Sequence, residues 1–240
     1  MVRRPAPDRQ GETQMAGRYI VTGGFGVLGR AVCAQLRREG HRVGVIDMAP
    51  CPDGYEGPAE GGIDLAEAAA VGPAVARLVT DLGGLDGLVN VAGGFVWEPL
   101  GPGSPATFER MYRTNLHTAT TACEAVLDTL APGGAIVNIG AAAARAAGEG
   151  MGAYAASKAG VLALTQALAA QLRPRGIRVN AVLPTVLDTP TNRADMPDAD
   201  PGEWIAPAAA AQVIAWLLSP AASCVTGEGI ALSMGQGKDN

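Results

Sequence analysis

Short runs rich in valine and isoleucine alternate along the chain with longer stretches in which apolar residues recur at helical spacing. That is the pattern of strand–helix units wound about a parallel sheet. Six runs predict strands, over residues 18–23, 42–47, 87–92, 135–140, 177–183 and 229–234. Each is almost continuously apolar, as a strand must be when helices cover both of its faces. A helix is predicted from Val27 to Glu39, stopped by Gly40, a residue suited to a left-handed helix end. A second begins at Ser104, with Pro105 in its first turn, and runs to about Ala131. A third carries Tyr154 and Lys158 and reaches about Leu172, with Val161, Leu164, Leu168 and Leu172 as its apolar stripe. Right-handed crossovers put helices on both sides of the sheet, so the expected fold is α/β, a doubly wound parallel sheet in a three-layer αβα sandwich.

Two stretches keep neither period. Residues 141–150 are small and permissive, and suit a turn beside a ligand. Residues 184–207 hold five prolines and five carboxylates, too long and broken for a simple connector, so about 185–207 is expected to be a substrate loop. Residues 1–17 are polar, contain proline and lack the apolar stretch of a secretory signal; they read as a flexible leader, with Met15 as an alternative start. Residues 18–240 are then one domain, since 240 residues with 48% apolar content suffice for a single large core.

Composition narrows the partners. The net charge of −5 comes without any block of lysine or arginine, so neither nucleic acid nor an anionic membrane has an electrostatic footprint. No run of about 18 apolar residues could span a bilayer. A cytoplasmic protein acting on a small soluble molecule is expected. Cys33, Cys51, Cys123 and Cys224 are scattered without metal-ligand spacing and read as reduced thiols, while His41 and His117 lack partners for a triad or zinc site. No metal is expected. Long helices such as the third also suit pairing between subunits, and a homodimer or homotetramer is expected.

The first candidate chemistry lies between the first strand and first helix. Gly23, Gly24, Gly26 and Gly29 form GGFGVLG there, with GxGxxG running from Gly24 to Gly29. Residues without Cβ let backbone N–H groups approach a pyrophosphate, and the helix N-terminus adds partial positive charge, the arrangement of a Rossmann-type fold. Asp47 ends the second strand, where a carboxylate accepts both ribose hydroxyls and repels a 2′-phosphate, favouring NADH over NADPH. Asp64, after a further short strand, is a candidate adenine contact or an exposed loop carboxylate.

The second candidate is Tyr154 with Lys158, four residues on and therefore on the same helix face. A phenol titrating near 10 is a slow proton donor at neutral pH, and an adjacent ammonium is expected to lower its pKa. Asn115 is placed by Met111, Tyr112, Leu116 and Ala119 on an apolar helix face, where a buried amide needs partners.

Together, TGGFGVLG, Asp47, VNVAGG at 89–94, Asn115, YAASK at 154–158, RVNAVLP at 178–184, Thr189 and VTGEGIALSMG resemble the short-chain dehydrogenase/reductase family over nearly all of residues 18–237. The resemblance implies that Tyr154 is the acid/base residue, that Lys158 binds the nicotinamide ribose and tunes the phenol, and that Asn115 helps hold a proton-relay water. It implies a cofactor site of Gly23, Phe25, Gly26, Val27, Leu28, Gly29, Asp47, Asp64, Asn90, Ala92, Gly93, Pro184 and Thr189, in addition to Tyr154 and Lys158. Asn90 and Gly93 would form the strand-end turn along the adenine ribose, and Thr189 would anchor the nicotinamide amide or pyrophosphate.

The chain departs from that pattern at Val27, Val91 and Thr185, and above all at Ala141, thirteen residues before Tyr154, where the family carries a serine. Losing one donor to a developing oxyanion commonly raises the barrier by about 3 kcal/mol, which disfavours ordinary alcohol oxidation. The chain is similar in this deficit, and in its loop 182–200, to the dihydropteridine-reductase-like branch, whose quinonoid substrate disperses incoming charge over its own ring. The expected activity is NADH-dependent reduction of a C=N, quinonoid or activated carbonyl group. Trp97 and Met151 are candidate pocket walls, and Asn192 and Arg193 candidate replacements for the lost hydroxyl. A nucleotide-binding regulator, or an isomerase or cyclase of the same fold, are the alternatives.

Overall fold

The computed structural model describes residues 16–235, so the leader is described only at Ala16 and Gly17 and the last five residues lie outside the description. Seven strands form one sheet in the order β3-β2-β1-β4-β5-β6-β7. They are β1 (Arg18–Thr22), β2 (Arg42–Asp47), β3 (Ala59–Gly61), β4 (Leu85–Asn90), β5 (Leu130–Ile139), β6 (Arg178–Pro184) and β7 (Gly229–Leu232), and every pairing is parallel. The chain reverses its winding between β1 and β4, so the carboxyl ends of these neighbours open into the crevice where open α/β sheets bind ligands.

The unbroken apolar runs have the cause expected for them. Along β1, Ile20 and Val21 are both fully buried but belong to different core layers. Val21, Val45, Val137 and Val182 face α1 (Val27–Arg38) and α7 (Pro207–Leu218). Ile20, Ile46, Leu88, Ile136 and Val179 face α2 (Ala68–Leu82), α4 (Thr118–Val126) and α5 (Gly152–Leu172). Successive side chains point to opposite faces, and both faces are dry.

The helix expected from Ser104 to Ala131 is shorter and irregular. It comprises α3 (Ser104–Met111), a π-helical turn (Tyr112–His117) and α4, and Ala131 belongs to β5. Leu130 misleads the periodicity because it is buried like a helix-face residue while pairing with Leu85 in the sheet; the ladder then skips to Ala135 opposite Gly87, across the turn at Gly133. The π-turn also displaces Tyr112 from the buried face assigned to it: Tyr112 is 54% exposed, whereas Asn115 is 1% exposed. In α2, Gly72 and Pro73 interrupt the sequence pattern, yet Val71, Ala74, Val75, Leu78 and Leu82 make one buried face.

The loop of about 185–207 is more ordered than its composition suggests. It contains α6 (Pro190–Asp195) and a turn of 3-10 helix at Pro201–Glu203. Its base is pinned by paired backbone bonds, Asp188 N–H to Ile205 C=O and Ile205 N–H to Val186 C=O, and by buried Trp204.

Candidate active site

At the winding reversal, β1 ends in a turn that only glycine can make. Gly23 lies at φ +64° against the backbone of Ala92, and a Cβ on Gly29 would fall 2.1 Å from the Gly23 carbonyl oxygen, so α1 starts in direct contact with the turn. No side chain caps α1, leaving its first N–H groups directed at the crevice. That crevice measures about 660 Å³. Gly23, Phe25, Gly26, Val27, Leu28 and Gly29 line its floor, with Asp47 and Asp64 at one side and Ala92, Gly93 and Thr189 at the other. The Phe25 ring itself is buried, edge-on to Tyr55 at 5.2 Å.

Both acidic residues are held. Asp47 accepts hydrogen bonds from the N–H of Phe25 at 2.8 Å and of Ala49 at 2.9 Å, which fixes its charge at the end of β2. Asp64 accepts from the N–H of Ala66 and from the guanidinium of Arg113, which also binds Glu67 at 2.7 Å. Arg113 lines the crevice and was missed in the sequence, because only the fold brings it across to Asp64.

Asn90 does not line the crevice. Its amide turns into the sheet, donating to Asn138 Oδ1 at 2.9 Å and Cys123 Sγ at 3.2 Å, while Asn138 donates in turn to Thr165 on α5. The strand end lies where sequence places it, but the side chain is part of the interior. Pro184 is likewise buried at the end of β6, paired in register with Leu232, and does not border the crevice.

Tyr154 and Lys158 stand one turn apart near the start of α5. The Lys158 ammonium is 5.9 Å from the Tyr154 ring centroid and donates to the Ile139 carbonyl at 2.8 Å. Burial pushes the Lys158 pKa down to about 8 and the Tyr154 phenol up to about 12. The expected acidification of the phenol is therefore absent from this arrangement. The cation lies toward the ring face and is engaged by a main-chain carbonyl, while desolvation dominates at the hydroxyl.

Asn115, set by the π-turn, bonds Gly94 at both its N–H (2.8 Å) and its C=O (3.0 Å), and donates to Ser157 Oγ at 2.9 Å. Ser157 donates to the Tyr154 carbonyl at 2.7 Å. A Cβ on Gly93 would sit 2.6 Å from Asn115 Oδ1 and 3.3 Å from Lys158 Nζ, so the β4 turn, the π-turn and α5 meet at one point. Asn115, Lys158 and Tyr154 are thus brought together with the crevice wall at Gly93.

Ala141 ends β5 in extended backbone, buried, and leads into the 3-10 turn Ala142–Ala144. The two residues expected to replace its missing hydroxyl are otherwise engaged. Asn192 donates to the Leu187 carbonyl at 2.8 Å, and Arg193 binds Asp188 through two hydrogen bonds of 2.6 and 2.8 Å. Both are consumed in holding α6, a demand that linear sequence does not reveal. Trp97 donates from its indole to the Glu149 carbonyl at 3.0 Å, and Met151 precedes α5, half-buried. Among the described residues no group of acidic, cysteine or histidine side chains could hold a metal, and no helix is long and apolar enough to cross a membrane.

The family model described as enoyl-(acyl carrier protein) reductase matches residues 26–236. The chain belongs to the short-chain dehydrogenase/reductase family. It is an oxidoreductase of the nicotinamide-dependent kind, with the sheet and crevice that such enzymes share. A D-threitol dehydrogenase of Mycolicibacterium smegmatis is 34% identical over 181 residues, covering 71% of this chain and 70% of that protein. A 2-(S)-hydroxypropyl-CoM dehydrogenase of Xanthobacter autotrophicus is 30% identical over 90% of this chain and 94% of its own. Among solved structures, a blue fluorescent protein from a metagenomic library, in complex with NADPH, superposes with a TM-score of 0.81 at 31% identity, covering 92% of this chain and 97% of that one.

Proposed function

We propose that this enzyme is an NADH-dependent reductase acting on a C=N, quinonoid or activated carbonyl group, with Tyr154 as the proton donor. The observation that carries this reading is the Tyr154 hydroxyl, which makes no hydrogen bond within the described residues while the buried Lys158 ammonium stands 5.9 Å from its ring centroid, in a chain with alanine at position 141. A phenol raised to about 12 stays protonated throughout the neutral range, which suits a donor in reduction better than a base in oxidation.

The cradle fits a dinucleotide on its own geometry, since a side chain at Gly23 or Gly29 would collide with backbone and the α1 N-terminus is uncapped. Bound there, NADH supplies the two electrons and one hydrogen of the reduction. Asp47, its carboxylate held by two N–H groups, presents fixed negative charge to the adenosine ribose and disfavours a 2′-phosphate. Lys158 orients the nicotinamide half and supplies positive charge near the phenol. Tyr154 then protonates the heteroatom of the substrate. With Ala141 in place of a second donor, a group that spreads incoming electron density over a conjugated system is reduced more readily than an isolated ketone.

The test is NADH oxidation against quinonoid dihydropterin, 3,4-dihydroisoquinoline, activated diketones and simple ketones, with wild type and Ala141→Ser. Turnover of the conjugated substrates is expected in wild type, and a gain on simple ketones in the variant. Tight NADH binding with no turnover of any of them would instead establish the competing reading, a nucleotide-binding regulator, which Ala141 alone favours.

A further inference from the structure

Three large side chains on the segment between β4 and α3 are exposed: Phe95 (49%), Trp97 (57%) and Leu100 (86%). Two of them are held in place against the approach to α5. The Phe95 ring stands 4.9 Å from the Tyr154 ring, centroid to centroid, at an interplanar angle of 85°. Trp97 is fixed by its indole N–H on the Glu149 carbonyl, and the next residue, Glu98, donates its N–H to the Gly150 carbonyl at 2.7 Å. The indole occupies space that any other residue at position 150 would need: Gly150 lies at φ +72°, and a Cβ there would fall 2.3 Å from Trp97 Nε1. Met151 follows immediately, half-buried.

The fold has thus spent two hydrogen bonds and a glycine on fixing the Trp97 indole, and it leaves that ring and the Phe95 ring about half open to solvent. Core packing does not require this, since neither ring is enclosed. Exposed apolar surface continuous with a reactive group is the mark of a binding surface. Ala141 carries no polar group, and Asn192 and Arg193, the candidate polar contacts, are engaged within their own loop.

We infer that Phe95 and Trp97 form an aromatic wall that selects substrates by a flat, conjugated ring, with Phe95 as the specificity-determining residue next to Tyr154. This deepens the reductase reading and rests on it for the location of the reacting group. A planar ring set against Phe95 gains the edge or offset contact that aromatic pairs favour, and a saturated ring of similar size does not. Phe95 contributes through binding and placement, and moves no proton itself.

The test pairs a kinetic ratio with an equilibrium measurement. In the ratio of kcat/KM for 3,4-dihydroisoquinoline to that for 1-pyrroline, both cyclic imines but only one fused to an aromatic ring, Phe95→Ala is expected to cause roughly a tenfold fall. Phe95→Tyr retains the ratio, and Phe95→Leu, which keeps apolar bulk without the ring, falls with the alanine variant. Gly150→Ala, which displaces the indole, lowers the ratio in the same direction.

Independently of turnover, isoquinoline is titrated by calorimetry into the NAD⁺-saturated protein. Phe95→Ala is expected to weaken its binding roughly tenfold while NAD⁺ affinity changes less than twofold. An unchanged ratio together with unchanged isoquinoline binding overturns the inference. So does a change in sedimentation mass in the Phe95 and Trp97 variants with isoquinoline binding intact, which would make the surface a contact between copies of the chain. Phe95-dependent isoquinoline binding without turnover of either imine would leave the wall standing and remove the reductase reading, so the two failures are separable.

Discussion

Two cavities open at opposite ends of the same sheet, and the larger is not the one that holds the candidate site. At the amino ends of the strands lies a space of about 850 Å³ bordered by Arg18, His41, Asp86 and Arg178, whereas the crevice at the carboxyl ends measures about 660 Å³. The difference lies in how the polar groups are used. In the larger cavity Arg18 bonds Asp86 and the Gly83 carbonyl, and Arg178 donates to the last carbonyls of α7 at Leu217, Leu218 and Ser219. In the smaller one the α1 N-terminus is uncapped, and behind its wall at Gly93 stand Lys158 and Tyr154, whose hydroxyl makes no hydrogen bond within the described residues. Satisfied charges make architecture, and unsatisfied groups aimed into a crevice make a site.

Perturbing the two ends should therefore separate chemistry from stability. The largest effect is expected at Tyr154: Tyr154→Phe cuts kcat by about 10²–10⁴-fold with NADH affinity little changed, measured by steady-state kinetics and cofactor titration. A loss below about threefold would sink the proton-donor assignment. Next is Lys158, where chemistry and stability conflict. Its pKa is near 8 in the fold against 10.5 unfolded, so the folded state binds its proton more weakly, and stability rises with pH between about 8 and 10.5. Below pH 8 the burial cost is fully present, roughly 3 kcal/mol. Lys158→Met is expected to unfold at higher denaturant than wild type at pH 7, to lose that advantage by pH 10.5, and to lose activity throughout.

Arg178→Gln probes the other end. Removing a buried guanidinium that closes α7 is expected to cost about 2 kcal/mol in thermal or denaturant unfolding, with NADH affinity within twofold of wild type. Altered cofactor binding would show that the two ends are not independent. The smallest effect is expected for Asp47→Asn, which leaves the crevice intact but weakens its fixed negative charge. The preference for NADH over NADPH is expected to fall about tenfold, close to 1.4 kcal/mol, as read from the ratio of dissociation constants.

Local signals were legible in the sequence and long-range ones were not. The glycine turn, Asp47 and the Tyr154–Lys158 spacing each follow from a few neighbouring residues and one element of known geometry, and the structure places them around one crevice or against its wall. The helix expected to reach Ala131 overruns because Leu130 is apolar and buried, and apolar character alone does not say which element buries it. Asn192 and Arg193 look free in the sequence because their partners, Leu187 and Asp188, become theirs only once α6 forms. The role of Phe95 depends on a ring 59 positions away in sequence at Tyr154, which no local pattern announces.

The inward turn of Asn90 has one last consequence. Thr22, Asn90, Asn138 and Thr165 join β1, β4, β5 and α5 by side chains through the middle of the sheet. The rung that carries the glycine turn and the helix that carries Tyr154 are therefore measured off against each other from within, like marks on a ruler. The span between the glycine turn and Tyr154 is inherited from the interior, leaving the outer loops free to vary without altering it.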